Sequence, residues 1–296
     1  MAGESAAPLK TMKPKHKFLV GIDSDGCAFD TMEIKHKECF IPNIIKHWGL
    51  QAVSKYAREA GEFVNLYSKW RGINRWPALV KVFDLLRERE EVRRRGVKIP
   101  EATAIRAFID SGFPLSNSSL KREIERTTDP ELAKALAWSE AVNASIEDTV
   151  FGVPPFPYMR ESLEKLCARA DLIVVSQTPT EALAREWREH GIDKYVRVIA
   201  GQEMGTKTEH LRYAMEGRYD KANVLMIGDA PGDLAAAEPN GALFFPVCPG
   251  DEEESWKRFL EEGADRFLGG TFAGDYQKRL IQEFDRYLPE VPPWKR

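Results

Sequence analysis

Five short apolar runs recur along the chain: "KFLVGID" (17–23), "ADLIVVSQTP" (170–179), "VRVIAG" (196–201), "ANVLMIGDAPGD" (222–233) and "ALFFPV" (242–247). Their apolar positions are continuous rather than alternating, as in strands covered on both faces of a parallel sheet. Helical periods lie between them. "PYMRESLEKLCARA" sets Met159, Leu163 and Leu166 on one face. "TPTEALAREWREHG" opens with Thr178 and Glu181 at capping-box spacing, has Pro179 at the first helical position, and stops at Gly191. Strands alternating with helices predict an α/β fold with a doubly wound parallel-sheet, Rossmann-like core.

Between Thr31 and Thr149 the rhythm changes to helical periods alone. Val53, Tyr56, Ala57, Ala60, Phe63, Val64 and Tyr67 make one stripe. Pro77 is read as the start of a second helix with Leu79, Val82, Phe83 and Leu86 inward. Asp129-Pro130 reads as an N-cap and first helical residue, leading into Leu132, Leu136, Val142 and Ile146. The prolines of "FGVPPFP" (151–157) forbid a helix and mark a return hinge. The expected organisation is a disordered leader over 1–16, a core built from 17–30 and 150–296, and an inserted all-helical domain over 31–149. The last stretch, "YLPEVPPWKR", reads equally as a cover for another subunit or as an idle tail.

Composition excludes several classes. At 296 residues the chain can bury a sizeable core, and a net charge of −3 gives no sign of a nucleic-acid partner. No apolar run approaches the ~20 residues that span a bilayer, and the opening residues lack the apolar centre of a signal peptide. Cys27, Cys39, Cys167 and Cys248 have neither zinc nor disulfide-framework spacing, so a reduced cytoplasmic setting is expected. The five histidines are scattered without ligand spacing.

The chemistry-bearing residues stand where the apolar runs end or helices begin, the place where open α/β sheets bind ligands. Asp23 and Asp25 end the first run, Ser176 the second, and Asp229 and Asp233 follow "VLMIG". Lys207 opens a helix behind Thr206 and Glu209, again at capping-box spacing. Carboxylates gathered in one pocket need a cation to offset their repulsion. Magnesium, a hard cation with oxygen ligands, suits a site that also holds phosphate. Ser176 suits donation to a phosphate oxygen, and Lys207 supplies positive charge to the same group.

DxDG, an apolar run ending in Ser, a Lys at a helix start, and GDxxxD, in that order, resemble the haloacid dehalogenase-like hydrolase superfamily. The resemblance covers 17–30 and about 150–250, and the insertion is similar to that superfamily's helical cap. It implies that Asp23 is the nucleophile, forming an aspartyl-phosphate, and that Asp25 is the general acid and then the base. It implies Mg2+ held by the Asp23 side chain, the Asp25 carbonyl and Asp229, with Asp233 in support. Ser176 and Lys207 would stabilise charge on the transferred group. Members that cleave carbon–halogen bonds lack the second acid, so Asp25 favours phosphoryl chemistry. Cys27 and Gln177 depart from the commonest pattern at their positions without removing a catalytic atom.

The implied activity is a phosphoric monoester hydrolase acting on a small phosphorylated metabolite. The alternatives are a sugar phosphomutase using the same residues, and a silent binding protein. Gln177 has two readings, a substrate contact or a loop contact. In "YSKWRGINRWP" (67–77), Arg71 and Arg75 either clamp a second anionic group or belong to a packed helix connection. No segment specifies an oligomeric state.

Overall fold

The computed structural model describes residues 5–295. Five parallel strands form one sheet: β1 (Phe18–Ile22), β2 (Ala170–Val175), β3 (Val198–Ala200), β4 (Val224–Gly228) and β5 (Leu243–Pro246), in the order β3-β2-β1-β4-β5. Each strand falls within one of the apolar runs. The runs are continuous because both faces are covered. Val20 and Ile22 join Leu172, Val174, Leu225 and Ile227 in one core cluster, while Leu19 joins Ile173, Val175, Val224 and Met226 in another. Each such side chain fully withdrawn from water contributes about 1.5–3 kcal/mol.

The first strand in the sequence is the central one. Ile22 is in register with Val174 on one side and Ile227 on the other. The carboxyl ends of β1, β2 and β4 are therefore adjacent, and the residues that follow them converge. The helix Lys207–Met215 packs close over β1 at Gly21, where an added Cβ would lie 2.9 Å from Leu211. The Thr206–Glu209 capping box is present and fixes the start of this helix.

The described residues divide into two compact units: residues up to Thr31 with Gly152–Pro289, and Met32–Phe151 with the residues from Glu290. The second is all-helical. Its longer helices are Ile41–Trp48, Ser54–Asn65, Arg75–Glu88, Thr103–Asp110, Asn117–Thr127 and Pro130–Thr149. Their shared core includes Phe63, Trp76, Leu79, Phe83, Trp138 and Val142. Asp129 caps its helix by accepting from Glu131 and Leu132 amides. The helix expected at Pro77 begins at Arg75 instead, because Asn74 accepts from the Trp76 amide and Pro77 is tolerated in a first turn. No helix among the described residues is long and apolar enough to cross a membrane.

Both termini differ from expectation. Residues 1–4 of the expected leader lie outside the described residues, but the remainder is ordered. Ala7–Thr11 is helical, with Leu9 and Met12 buried beside Leu211 and Met215. Arg218 donates to the carbonyls of Leu9 at 3.0 Å, Lys10 at 2.8 Å and Met12 at 2.9 Å. Buried Asp171 accepts the amides of Lys15 at 2.8 Å and His16 at 3.0 Å, the Tyr219 hydroxyl at 2.8 Å, and the Arg197 guanidinium. The last residues, assigned by sequence to the core, pack within the helical unit. Glu290 pairs with Lys69 at 2.8 Å, and the Trp294 ring lies 5.7 Å from that of Phe63.

Candidate active site

The chain turns tightly after β1. The Ala28 and Phe29 amides both donate to the Ser24 carbonyl, at 2.8 and 3.1 Å, and Gly26 takes a positive φ of 78° that favours glycine. This turn holds both Asp23 and Asp25 at the carboxyl end of β1. Asp23 is buried; one carboxylate oxygen accepts the Ser24 amide at 2.7 Å and the other accepts Lys207 Nζ at 2.6 Å. Lys207 Nζ also donates to Asp233 Oδ1 at 2.6 Å. The second oxygen of Asp233 accepts the Asp229 and Ala230 amides at 3.1 and 3.0 Å, so Asp233 closes the first turn of the helix Pro231–Ala237. Gly228 makes this possible: a Cβ there would lie 2.3 Å from the Asp233 side chain.

Asp23, Asp229 and Asp233 can each bring one carboxylate oxygen within 4.8 Å of the others, and all three are buried. Burial pushes the Asp23 carboxyl well above the usual carboxylate range; Lys207 pulls it down, and the charges of Asp233 and Asp229 push it up again. For Lys207 burial acts downward, but Asp23, Asp233 and Asp229 outweigh it and raise the ammonium. Lys207 is shared between Asp23 and Asp233, and Asp229 completes the same buried acidic set. An all-oxygen, buried donor set of this kind fits a divalent hard cation.

Asp25 is half-buried and differently held. Thr178 Oγ1 donates to its Oδ2 at 2.7 Å, and Thr31 Oγ1 bonds its Oδ1. Sequence reasoning missed both threonines. It took Thr178 for the cap of the next helix, but that helix, Thr180–Glu189, has no side-chain cap from its preceding residues. Glu203 accepts the Thr180 amide at 3.0 Å instead, which leaves the Thr178 hydroxyl for Asp25. Only the folded contact reveals this, since a threonine ahead of a helix ordinarily caps it.

Ser176 is buried at the end of β2, and its Oγ accepts the Thr178 amide at 3.2 Å. Gln177 Nε2 donates to the carbonyls of Ser176 at 3.2 Å and Gly205 at 3.0 Å, tying the β2 loop to the one before Lys207. Asp23, Asp25, Ser176, Gln177, Lys207, Asp229 and Asp233 all belong to the α/β unit. Arg71 and Arg75 belong to the helical unit. Arg71 is buried and donates to the Leu66 carbonyl at 2.9 Å. Arg75 donates to Ser139 Oγ at 2.7 Å and Asn143 Oδ1 at 2.8 Å. Cys27 is a buried thiol, raised by desolvation and then by the charges of Asp229 and Asp23, with Sγ 3.7 Å from the Ile227 carbonyl.

Residues 74–247 of the 296 match the model of the haloacid dehalogenase-like hydrolases. The chain belongs to that family. The match to the haloacid dehalogenase-like hydrolases takes in Ser176, Lys207, Asp229 and Asp233, and begins after Asp23 and Asp25. Among solved structures the chain is similar to a haloacid dehalogenase-like hydrolase from Xanthomonas campestris, at 12% identity over 87% of this chain and 97% of that one, with a TM-score of 0.46. It is similar to a protein from Haemophilus somnus described as a predicted phosphoglycolate phosphatase, at 15% identity over 80% and 88% of the two chains, with a TM-score of 0.45. It is also similar to a haloacid dehalogenase-like hydrolase from Streptococcus pneumoniae, at 16% identity over 80% and 90%, with a TM-score of 0.42. No curated protein sequence matches the chain.

Proposed function

We propose that this hydrolase is a magnesium-dependent phosphatase that cleaves small phosphate monoesters through an aspartyl-phosphate on Asp23. The observation that carries the reading is the pair of acids on one turn with opposite surroundings. Asp23 is buried, and its two oxygens accept from an amide and an ammonium, obligate donors that fix the carboxyl group in place as a nucleophile. Asp25 is half-buried and held by hydroxyls, which suits a group that exchanges protons.

In the proposed reaction an Asp23 oxygen attacks phosphorus and the bond to the ester oxygen breaks. Asp25 gives its proton to the departing alkoxide. Asp25 then takes a proton from water, whose oxygen attacks phosphorus; the Asp23–phosphorus bond breaks, and inorganic phosphate and the free carboxylate remain. Ser176 and Lys207 bind phosphoryl oxygens and offset charge as it develops. Gln177 keeps their two loops together through the carbonyls of Ser176 and Gly205. Asp23, Asp229 and the Asp25 carbonyl would hold Mg2+, with Asp233 behind them; when bound it supplies charge neutralisation and orientation of the phosphoryl group. The acceptor in the second step distinguishes hydrolysis from phosphoryl transfer to a sugar.

The test is phosphate release from a panel of phosphorylated metabolites, with magnesium and with chelator, using Asp23→Asn as control. Magnesium-dependent release by the wild type alone is the expected result. A folded wild type that releases nothing, yet phosphorylates a sugar acceptor, would move the reading to phosphotransfer.

A further inference from the structure

We infer that Thr178 is a positioning residue for Asp25, holding the acid at the angle from which it protonates the leaving oxygen; the inference rests on the acid–base role proposed above for Asp25. Three independent contacts fix Thr178. Its amide donates to Ser176 Oγ at 3.2 Å, its carbonyl accepts the Gln202 amide at 3.1 Å, and its hydroxyl reaches Asp25 Oδ2 at 2.7 Å. The backbone around it leaves no slack. A Cβ on Gly201 would lie 2.6 Å from the Thr178 carbonyl oxygen and 2.5 Å from the Thr180 amide nitrogen, so the 201 loop lies flush against this turn.

The helix that follows does not need the hydroxyl, because Glu203 Oε2 accepts both the amide of Thr180 at 3.0 Å and its hydroxyl at 2.7 Å. The Thr178 side chain is thus free of the duty its sequence position suggests, and is spent on Asp25. With Thr31 on the other oxygen, the carboxyl is gripped at both ends and its plane is set. A hydroxyl both donates and accepts. It therefore keeps hold of Asp25 before and after the proton leaves, where an amide or ammonium would keep hold only of the carboxylate. The same turn carries Ser176, so the residue that binds the phosphoryl group and the residue that aims the acid move as one piece.

The test compares kcat/KM for an alkyl phosphate, glycerol phosphate, with that for p-nitrophenyl phosphate, whose leaving group departs as a stable anion. Because kcat/KM reports events up to formation of the aspartyl-phosphate, the later base role of Asp25 does not enter. The near-isosteric Thr178→Val is expected to lower kcat/KM for glycerol phosphate about 10–100-fold and for p-nitrophenyl phosphate less than about threefold. Thr178→Ser is expected to recover most of the loss, and thermal melts of both variants to overlay the wild type. An equal fall with both esters would overturn the inference and assign Thr178 to the phosphate loop through Ser176. No fall with either would show the contact to be idle. Asp25→Asn separates the two levels: if it shows no leaving-group selectivity, the acid role of Asp25 fails first, and the inference with it.

Discussion

Gly228 and Gly232 stand four residues apart in "GDAPGD", yet the structure assigns them opposite tolerance. An alanine Cβ at 228 would lie 2.3 Å from Asp233 Cβ and Cγ, where ordinary contact begins near 3.4 Å. One of the two must move by more than about 1 Å, and Asp233 is fully buried. Displacing it breaks the two amide bonds from Asp229 and Ala230 and the bond from Lys207, each a hydrogen bond to a charged group worth about 1.5–3 kcal/mol. Allowing for partial relaxation, Gly228→Ala should cost about 3–5 kcal/mol. That corresponds to a fall of about 10 °C in the melting temperature of a unit this size. At Gly232 a Cβ meets nothing within 4 Å, and Gly232→Ala should change stability by at most about 1 kcal/mol. The assay is a thermal melt of each variant with and without magnesium. Magnesium should raise the melting temperature of wild type and Gly232→Ala, and fail to do so for Gly228→Ala. A Gly228→Ala protein melting within about 2 °C of wild type, with its magnesium shift intact, would refute the account of this glycine.

Other expectations are independent of that one. His210 is fully buried in the helix behind Lys207, and desolvation lowers its imidazole to about 4. Since the unfolded chain takes up a proton near 6.5 and the folded one near 4, stability is lost as pH falls between those values, by about 2 kcal/mol from pH 7 to pH 5. Urea midpoints should show that loss in wild type and not in His210→Leu; an equal loss in both would place its source elsewhere. Asp171→Ala strips the Lys15 and His16 amides and the Arg197 guanidinium of their acceptor, at a cost of about 3 kcal/mol. Limited trypsin digestion should then cut after Lys15 and Lys17 faster than in wild type, and an unchanged cutting rate would show the arm to be held by other contacts. Arg75→Met removes the bonds to Ser139 and Asn143 and should destabilise the helical unit by about 2 kcal/mol while leaving KM alone. A raised KM for doubly anionic substrates at unchanged stability would make Arg75 the anion clamp instead.

Legibility in the sequence followed the range of the forces involved. The strands were readable because burial on two faces leaves an unbroken apolar run, as in "VLMIG". Capping was readable where it is local, as at Asp129 and Thr206. The acids and Lys207 were readable as a set because each ends a run or opens a helix, and β1 is central, so their convergence follows from strand order. What escaped notice is held over long sequence separations. The arm before β1 is fixed by Asp171 and Arg218, and the last residues by Lys69 and Phe63. Local composition does not encode such partners. Thr178 misled for a related reason: its local pattern is a good cap, and a distant glutamate, Glu203, had taken that role.

The central place of β1 has a consequence for synthesis of the chain. The strand emerges first, but its neighbours are β2, ending at Val175, and β4, ending at Gly228. From Ile22 to its partner Ile227 the ribosome must add 205 residues, which takes about 10–40 s at ordinary elongation rates. Both edges of this apolar strand stay open to other nascent chains until β2 follows, and the edge that β4 covers stays open throughout the interval. The helical unit is the part able to collapse meanwhile, since the buried residues of its core run only from Ile41 to Val142. The insertion thus delays the sheet, and the interval between synthesis of β1 and of β4 is when this buried strand is most exposed to wrong partners.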